Sequence, residues 1–431
     1  MADLAVPLAR APVSGRFEVP PSKSIHQRAL ALAALSGAET EIVAPGRLPG
    51  DVVVLARALS AMAGREVPAV GGVPGSWGEE GLGSHRRSLR LDLAANGTGA
   101  RLSIALAALR PAGARTLVTG TPRLRARPQR PLLAALERLG ANAHRKSTGA
   151  VRVVARPLST RPVAIDATLS SQHASALLLV APRIGGLDLR LVGPPVSRAY
   201  LALTVESLQD FGIAVHADAE RIVVEPGAPR AARVVVVEPD ASSAAVWWAA
   251  AAISGGDVVV AGLPASTSQP DAALLPVLER MGARVGRTEA GEARVRGPRC
   301  RLLGAGDVDL RDAPDLAPLV AALAAGAEGE TRVVGAPHLA HKESDRIATC
   351  VAAVRAVGGD ASEAEGGFVV HGRPLRGGRV RVAGDHRLAL AFGVLGLAAE
   401  GVVLAGAEAV EKSWPGFAGD LHAAAADGSG R

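Results

Sequence analysis

The chain repeats one hydrophobic pattern along its whole length. An Ala/Leu-rich run is followed by a Gly, by a short strand of β-branched residues, and by a second Gly or Pro turn. Runs of this kind begin at six positions: Arg28, Arg101, Ala174, Ser242, Asp315 and His386. The starts are spaced by roughly 70 residues, and self-similarity at a fixed period is typical of repeated supersecondary units.

An amphipathic segment follows most of these runs and ends at a Gly turn, as in "LLAALERLGA" and "LLPVLERMGA". A further strand pattern such as "VRVVA" often comes next. Each unit is therefore predicted to run helix, strand, helix, strand. A length of 431 residues favours two domains, so the pattern predicts an α/β fold with three units in each domain.

Polar residues lie directly before each apolar helix. The positions are Ser22 to Ser24, Asn96 to Thr98, Ser170 to Gln172, Asp240 to Ser243, Asp312 to Asp315 and Asp385 to Arg387. Ser, Thr, Asn and Asp are ordinary N-caps, but capping does not explain the Lys, Gln, His and Arg beside them. Helix N-termini carry unsatisfied N–H groups and about half a positive charge. Six starts that converge on one cleft would therefore form a site for a highly anionic ligand.

The use of lysine is selective. Of the 48 basic residues, only Lys23, Lys146, Lys342 and Lys412 are lysines. Three of them lie at polar helix starts, as does Tyr200, the single tyrosine, whereas Lys146 is predicted to be a solvated loop residue. A compact ammonium and a planar guanidinium are not interchangeable. Lysine at these starts therefore indicates a functional charge.

The amino-acid composition narrows the classes of binding partner that the chain would suit. The net charge of +7 fits either small anions or an Arg-rich surface without a ligand, and the 2% of aromatic residues argue against nucleic acid. No unbroken apolar stretch of about 18 residues occurs, so we expect a cytoplasmic protein with no membrane partner. Cys300 and Cys350 have no metal-ligand spacing, which suits a reducing compartment.

Ten short motifs carry a family resemblance. In chain order they are "PSKSIHQRAL", "NGTGARL", "RARP", "SSQ", "SRAYL", "EPDASSA", "DAPDLAPLVA", "HKESDRI", "DHRLALAF" and "KSWPGF". Together they resemble the 5-enolpyruvylshikimate-3-phosphate synthase family of enolpyruvyl transferases, over nearly the whole chain. Each motif is weak alone, but ten in this order are highly specific.

The resemblance implies a fold and a reaction. The fold is a two-domain inverted α/β barrel, with three repeated helix–strand units related by pseudo-threefold symmetry in each domain. The domains would be residues 21–237 and residues 1–20 with 238–431, with the active site in the cleft between them. The reaction moves the enolpyruvyl group of phosphoenolpyruvate to the 5-hydroxyl of shikimate 3-phosphate and releases phosphate after a tetrahedral ketal. No metal or other cofactor is implied, and we expect a monomer whose domains close on the substrates.

Motif by motif, the resemblance implies three sets of site residues. Phosphoenolpyruvate would be bound by Lys23, Gly97, Arg127, Gln172, Arg346, Arg387 and Lys412. The acceptor would be bound by Ser24, Arg28, Ser170, Ser171, Gln172, Ser197, Tyr200, Asp315 and Lys342. Addition across a double bond requires an acid and a base, with candidates Lys23, Asp315, Lys342, Glu343 and His386. Structural roles also fit some of them: Glu343 and Asp345 could pair with Arg346, and His386 could bond at its helix cap.

The sequence leaves alternatives for the acceptor. Pro21, Ala95 and His338 depart from the family's pattern, so a related transferase acting on another phosphorylated acceptor, such as a nucleotide in natural-product biosynthesis, is one alternative. The UDP-N-acetylglucosamine enolpyruvyl transferases usually carry a loop Cys in the stretch that corresponds to 110–128, and none occurs there. A non-catalytic anion-binding or RNA-binding relative is the last alternative. It is disfavoured because unused buried charges are costly.

Overall fold

A computed structural model of the protein describes residues 3–75, 77–78, 81–82, 86–229 and 234–428. Backbone contacts divide the chain into two compact units. Unit 1 comprises Met1–Pro21, Gly46–Pro49 and Glu238–Arg431, and unit 2 comprises Ser22–Pro45 and Gly50–Val237. The predicted domain boundaries stay a prediction, as does the placing of a common cleft.

The helices and strands are numbered in chain order. The α-helices are α1 (Lys23–Leu35), α2 (Gly50–Ala63), α3 (Gly97–Ala108), α4 (Pro122–Ala126), α5 (Arg130–Arg138), α6 (Ser171–Val180), α7 (Arg198–Asp210), α8 (Ala241–Ser254), α9 (Leu274–Arg280), α10 (Ala317–Ala325), α11 (Arg346–Ala356), α12 (His386–Gly396) and α13 (Phe417–Asp427). Short 3₁₀ helices comprise Ala181–Ile184, Pro270–Ala273, Pro314–Leu316, Pro337–His341 and Ala407–Lys412. The strands of the N-terminal half are β1 (Asp3–Ala5), β2 (Gly15–Phe17), β3 (Thr40–Val43), β4 (Gly71–Val73), β5 (Trp77–Gly78), β6 (Gly81–Leu82), β7 (Ser88–Asp92), β8 (Arg115–Thr119), β9 (Asn142–Arg145), β10 (Val151–Val154), β11 (Val163–Asp166) and β12 (Leu187–Val192). The remaining strands are β13 (Val215–Ala217), β14 (Arg221–Val224), β15 (Val234–Val236), β16 (Asp257–Pro264), β17 (Arg284–Arg287), β18 (Glu292–Arg296), β19 (Gly306–Asp309), β20 (Glu330–Val334), β21 (Asp360–Ala364), β22 (Gly367–His371), β23 (Gly378–Arg381) and β24 (Val402–Ala405).

Each unit is built around three apolar helices. In unit 2 these are α1, α3 and α6, and in unit 1 they are α8, α10 and α12, which contact one another within their unit. Every residue of α10 and α12 is buried, and α3 and α6 are nearly so. A helix that is apolar all round belongs in the interior. The Ala/Leu-rich runs of the sequence therefore become the core, and the amphipathic helices and the sheets cover it.

The repeat contains more strands than the sequence predicted. The complete sheets have the orders β7-β8-β10-β9, β11-β12-β14-β13, β2-β16-β18-β17 and β19-β20-β22-β21. In each, the first pair is parallel and the other pairs are antiparallel. In three of these sheets a buried helix, α3, α6 or α10, connects the parallel pair, as parallel strands require, whereas all of unit 2 is inserted in the chain between β2 and β16. The predicted order of helix, strand, helix, strand therefore lacked the strand before the first helix and one strand of the final hairpin.

One further sheet of each unit pairs strands that lie far apart in sequence. In unit 2, β15 comes at the end of the unit but pairs in parallel with β3 of the first repeat. In unit 1, β1 near the N-terminus pairs with β24 near the C-terminus. The α/β class, with three repeats in each unit, internal helices and covering sheets, is confirmed.

Candidate active site

Lys23 is fixed by a buried acid in unit 2. It is the first residue of α1, and its Nζ lies 3.2 Å from Oδ2 of Asp51, whose side chain is only 6% exposed. A cation at a helix N-terminus is opposed by the helix dipole, and a buried carboxylate needs a partner. The ion pair with Asp51 therefore offsets the unfavourable helix dipole, gives the buried carboxylate a partner, and holds the Lys23 ammonium at the start of α1. Asp51, in the first turn of α2, was not identified from the sequence.

A second network in unit 2 brings together three predicted phosphoenolpyruvate residues. Gly97 begins α3, and a Cβ at this position would overlap the Arg127 guanidinium. Arg101 donates to Gly97 O at 3.2 Å and to Gln172 Oε1 at 2.7 Å. It also donates to Pro128 O at 3.2 Å. Arg101 belongs to the "NGTGARL" motif but was not among the predicted site residues, because a contact with Gln172 cannot be read from spacing.

The pKa of His173 is lowered by burial and by the positive charge of this network. Its Nε2 lies 3.0 Å from Pro128 O, and the side chain is fully buried. Burial, and then the charge of Arg101, lower the pKa of His173 to about 3, so the ring is neutral. The arginines here therefore concentrate positive charge near the starts of α3 and α6.

Arg28 is a structural connection as well as a predicted ligand contact. Its Nε donates to Thr204 Oγ1 at 2.8 Å, one terminal nitrogen donates to Ser24 O at 2.7 Å, and the other donates to Tyr200 O at 3.0 Å. Burial lowers the pKa of Arg28 to about 10. Arg28 therefore ties α1 to α7 and is itself only 2% exposed. Ser24 and Tyr200 contact Arg28 through their backbone carbonyl oxygens.

The three predicted phosphate-binding serines lie at two helix starts. Ser170 caps α6 and accepts a hydrogen bond from the Gln172 amide at 3.3 Å, and Ser171 follows it. Ser197 precedes α7 with a φ of 57°, which is strained for a residue other than Gly. Its hydroxyl is buried and has no hydrogen-bond partner among the residues that the structure describes. A strained residue with an unpaired hydroxyl is typical of a ligand contact.

Unit 1 holds a denser network around Asp315. Arg346 lies 2.7 Å from Oδ1 of this carboxylate, and Arg387 lies 3.1 Å from Oδ2. Burial opposes ionisation, but the charges of Arg346 and Arg387 hold the pKa of Asp315 well below its usual value. Asp315 lies on the 3₁₀ helix before α10 and is therefore an ionised carboxylate paired with two guanidinium groups.

Glu343 lies between two predicted cations. Its Oε1 is 2.8 Å from Lys412 Nζ, and its Oε2 is 3.2 Å from Arg346. The structural role considered for Glu343 is thus present. Asp345 instead caps α11, accepting bonds from the amides of Ile347 and Ala348.

Asp385 is a central residue that the sequence identified only as a cap. It caps α12, accepts from Arg387 N at 3.0 Å, and also accepts from Ser344 Oγ at 3.0 Å. Its third partner is Arg346 Nε at 2.9 Å, and the side chains of Asp385 and Arg346 are both 0% exposed. Burial lowers the pKa of Arg346, but Asp385 and the other carboxylates raise it well above its ordinary value. His386 is also buried, with Nδ1 3.9 Å from Asp385 Oδ1, which is too long for the predicted cap-side hydrogen bond.

Lys342 and His338 lie beside this network. Lys342 follows the 3₁₀ helix Pro337–His341, and its charge acts on Asp315. His338 is 2% exposed, and neither ring nitrogen has a hydrogen-bond partner within the described ranges. Burial, and then the charge of Lys342, lower the pKa of His338 to about 3. A neutral imidazole therefore occupies one of the positions that depart from the family's pattern.

Two cations of the predicted phosphoenolpyruvate set, Arg127 and Lys412, do not begin a helix. Arg127 ends the short helix α4, and α5 begins only at Arg130. Lys412 closes the 3₁₀ helix Ala407–Lys412 rather than opening a helix. Within the described residues, no group of three or more His, Cys, Asp or Glu side chains is arranged to hold a metal ion. No described helix combines the length and the apolar character that crossing a bilayer requires.

In both units, cations such as Lys23 and Arg387 lie at the starts of buried helices. The family model for EPSP synthase (3-phosphoshikimate 1-carboxyvinyltransferase) matches residues 8–421. A 3-phosphoshikimate 1-carboxyvinyltransferase from Halobacterium salinarum is 38% identical over 433 residues, covering 97% of this chain and 98% of the relative. One from Methanopyrus kandleri is 38% identical over 419 residues, covering 95% of each. The chain belongs to the EPSP synthase family.

Solved structures share the fold. An EPSP synthase from Acinetobacter baumannii has a TM-score of 0.78 at 24% identity, covering 99% of this chain and 98% of that one. The enolpyruvyl transferase NikO from Streptomyces tendae has a TM-score of 0.74 at 19% identity, covering 98% and 97%. At these sequence identities the similarity to the solved structures shows a shared fold only. A shared fold does not identify the acceptor substrate.

Proposed function

We propose that the protein transfers the enolpyruvyl group of phosphoenolpyruvate to the 5-hydroxyl of shikimate 3-phosphate and releases phosphate. This is the synthase step of the shikimate pathway to aromatic amino acids. The observation that carries the proposal is the match to the EPSP synthase family over residues 8–421. Relatives that bear the name 3-phosphoshikimate 1-carboxyvinyltransferase reach 38% identity and cover nearly the whole chain.

Substrate binding follows from the charges. The two substrates together bring two phosphates and two carboxylates, whose repulsion has to be offset by fixed positive charge. The phosphoenolpyruvate residues are Lys23, Gly97, Arg127, Gln172, Arg346, Arg387 and Lys412. The acceptor residues are Ser24, Arg28, Ser170, Ser171, Gln172, Ser197, Tyr200, Asp315 and Lys342. Ser197 supports this assignment directly, because its buried hydroxyl has no partner in the described structure.

The proton-transfer steps are assigned to carboxylate, lysine and histidine side chains. Asp315 is held ionised beside Arg346 and Arg387, so it can accept a hydrogen bond and then a proton from the attacking hydroxyl. Lys23 and Lys342 are the candidate acids for protonation of the methylene carbon as the tetrahedral ketal forms. Glu343 and His386 complete the set of acid–base candidates. Glu343 also orients Lys412, which lies 2.8 Å away.

The proposal also covers the domain boundaries, the oligomeric state and the localisation of the protein. We propose that residues 21–237 and residues 1–20 with 238–431 are its domains, and that it works as a cytoplasmic monomer without a cofactor. Nucleic acid is not a partner, because the aromatic side chains that stack on bases make up only 2% of the chain. Light scattering should give the mass of one chain, and a larger mass at working concentrations would contradict the monomer.

An assay of phosphate release tests the function. Purified protein is given phosphoenolpyruvate with shikimate 3-phosphate, with shikimate, or with a phosphorylated nucleoside. Shikimate 3-phosphate should support turnover, and shikimate should be poorer by about 10⁴, since a site built for hydrogen bonds discriminates against a missing partner. Release with the nucleoside but not with shikimate 3-phosphate would replace this proposal with a transferase for another acceptor, in which His338 is the first residue to examine.

A further inference from the structure

Arg101 joins three segments of unit 2 through one guanidinium group. It lies in the second turn of α3 and is only 2% exposed. Its Nη1 donates to Gly97 O at 3.2 Å and to Gln172 Oε1 at 2.7 Å, and its Nη2 donates to Pro128 O at 3.2 Å. The acceptors therefore come from the start of α3, the start of α6 and the loop between α4 and α5. A planar guanidinium can reach all three because its donors form a rigid fork.

The bond from Arg101 fixes the direction of the Gln172 amide. A guanidinium has no acceptor, so the amide atom that faces it has to be the oxygen. The amino group of Gln172 is therefore turned away from Arg101. No residue in the described ranges accepts a hydrogen bond from that amino group, and Gln172 is half-buried rather than enclosed. Gln172 thus presents N–H donors to a ligand at the start of α6.

The surroundings of these donors suit an anionic acceptor. A Cβ at Gly97 would overlap the Arg127 guanidinium and would lie 3.2 Å from Arg101 Nη1, so both cations lie close to the start of α3. Neither α3 nor α6 carries an acidic residue in its first turn. Hydrogen bonds that an ionised group accepts are about twice as strong as neutral ones. An anion is therefore the acceptor that gains most from the Gln172 amino group.

A further contact fixes Arg101 independently of Gln172. The carbonyl oxygen of Pro128 accepts from Arg101 Nη2 and lies 3.0 Å from His173 Nε2. A carbonyl oxygen only accepts, so Nε2 of His173 carries the proton, and the residue is 0% exposed. Two buried donors thus hold one carbonyl group. The guanidinium is therefore fixed on its Pro128 side, and Gln172 adjusts to Arg101 rather than the reverse.

We propose that Arg101 is a positioning residue for Gln172: it holds the amide oxygen, so that the amino group is aimed at an anionic group of the substrate. The inference rests on the proposed function, in which Gln172 binds phosphoenolpyruvate and the acceptor. An amide that is oriented before the substrate arrives does not have to be ordered on binding. Loss of this orientation should raise the KM, whereas kcat should change little, since the bond is made in both the ground state and the transition state.

A double-mutant cycle on the KM of phosphoenolpyruvate tests this role. Arg101→Lys keeps the charge but not the fork, and Gln172→Ala removes the donor itself. Each should raise the KM by about tenfold, the cost of one charge-assisted hydrogen bond. The double variant should also stay near tenfold, because Arg101 acts through Gln172. Exposed Arg138→Lys on α5 is the matched control and should keep the parent KM.

A purely structural Arg101 would give a different pattern. It would lower stability without changing the KM, or its effect on the KM would multiply with that of Gln172→Ala to about a hundredfold. Either result would overturn the inference while leaving the proposed function in place. Calorimetric binding of phosphoenolpyruvate to the same four proteins needs no turnover. Non-additive binding together with no phosphate release from shikimate 3-phosphate would instead count against the proposed function alone.

Stability gives a readout that involves no substrate. Gln172→Glu places a carboxylate oxygen where Arg101 already donates, so the denaturant midpoint of unfolding should rise. The dipole of α6 also favours an acid at this position, so the gain is compared with that in an Arg101→Met background, where only the dipole acts. The gain should be smaller there. Equal gains in the two backgrounds would show that Arg101 does not hold the side chain of Gln172, and would overturn the inference.

Discussion

At the scale of single residues, Lys23 is placed where electrostatics alone would not put a cation. Its charge opposes the dipole of α1, and Asp51 offsets that cost at 3.2 Å. Replacing Lys23 with Met should lower kcat by about 10²- to 10³-fold, because a preorganised charge at the reacting group is lost. Lys23→Arg should keep the ion pair but stay slow, since a planar guanidinium does not replace a compact ammonium. Exposed Lys146→Met is the control, and parent turnover in Lys23→Met would refute the role.

Arg28 connects binding to stability. Arg28→Ala should lower the free energy of unfolding by about 2–5 kcal/mol, because a large buried side chain is removed and its acceptors lose their donor. It should also raise the KM of shikimate 3-phosphate more than that of phosphoenolpyruvate. Denaturant unfolding and steady-state kinetics measure both effects, with exposed Arg190→Ala as the control. A stability loss without a change in the acceptor KM would leave Arg28 a structural residue only.

Gly97 lies where a side chain would meet a guanidinium. A Cβ there would overlap Arg127, whose flexible side chain can move aside. Gly97→Ala should therefore keep the fold but displace Arg127, raising the KM of phosphoenolpyruvate by about 10- to 100-fold. Gly37→Ala is the matched control, because a Cβ at Gly37 meets no atom within 4 Å. Equal KM values in the two variants would count against close approach at Gly97.

At the scale of elements, the central helices of unit 2 carry no acidic residue at their N-termini. Acidic residues usually favour the first turn, yet α1, α3 and α6 have none there, and their N-caps Ser22, Asn96 and Ser170 are neutral. These helix starts therefore keep their partial positive charge, whereas in unit 1 the carboxylates of Asp240 and Asp385 cap α8 and α12. This absence supports the proposal that the neutralising charge comes from a substrate.

Two helix caps of the same residue type should differ in importance. Asp385 caps α12 and also neutralises Arg346, with both side chains 0% exposed. Asp385→Asn should lower the free energy of unfolding by about 3–5 kcal/mol, because Arg346 loses a buried partner. Asp345 caps α11 at the surface, and Asn caps as well as Asp, so Asp345→Asn should cost less than about 1 kcal/mol. Denaturant unfolding of both variants provides the comparison, and equal losses would show that Asp385 is only a cap.

At the scale of the whole molecule, the net charge of +7 should attract both anionic substrates. The KM of each substrate should rise as sodium chloride is added, because the Debye length falls to about 8 Å at physiological ionic strength. The kcat should change less, since buried ion pairs such as Arg346–Asp385 are screened little. Initial rates over a salt series measure this. KM values that are independent of salt would show that the positive charge plays no part in substrate capture.

The sequence by itself determined the local features of the protein. Six Ala/Leu-rich runs predicted α1, α3, α6, α8, α10 and α12, because helix periodicity and capping depend on neighbouring residues. The same locality placed Gly97 and Asp385 at helix starts. The motifs also predicted the family, and the match to residues 8–421 confirmed it.

Only the tertiary structure decided which of these residues meet. Arg346 and Asp385 are 39 positions apart, and Arg101 and Gln172 are 71 apart. The short strands, such as β9 with its half-exposed burial pattern, also escaped prediction, because their pairing depends on partners elsewhere in the chain. Packing of the central helices brings distant helix starts together, and burial then sets their charges.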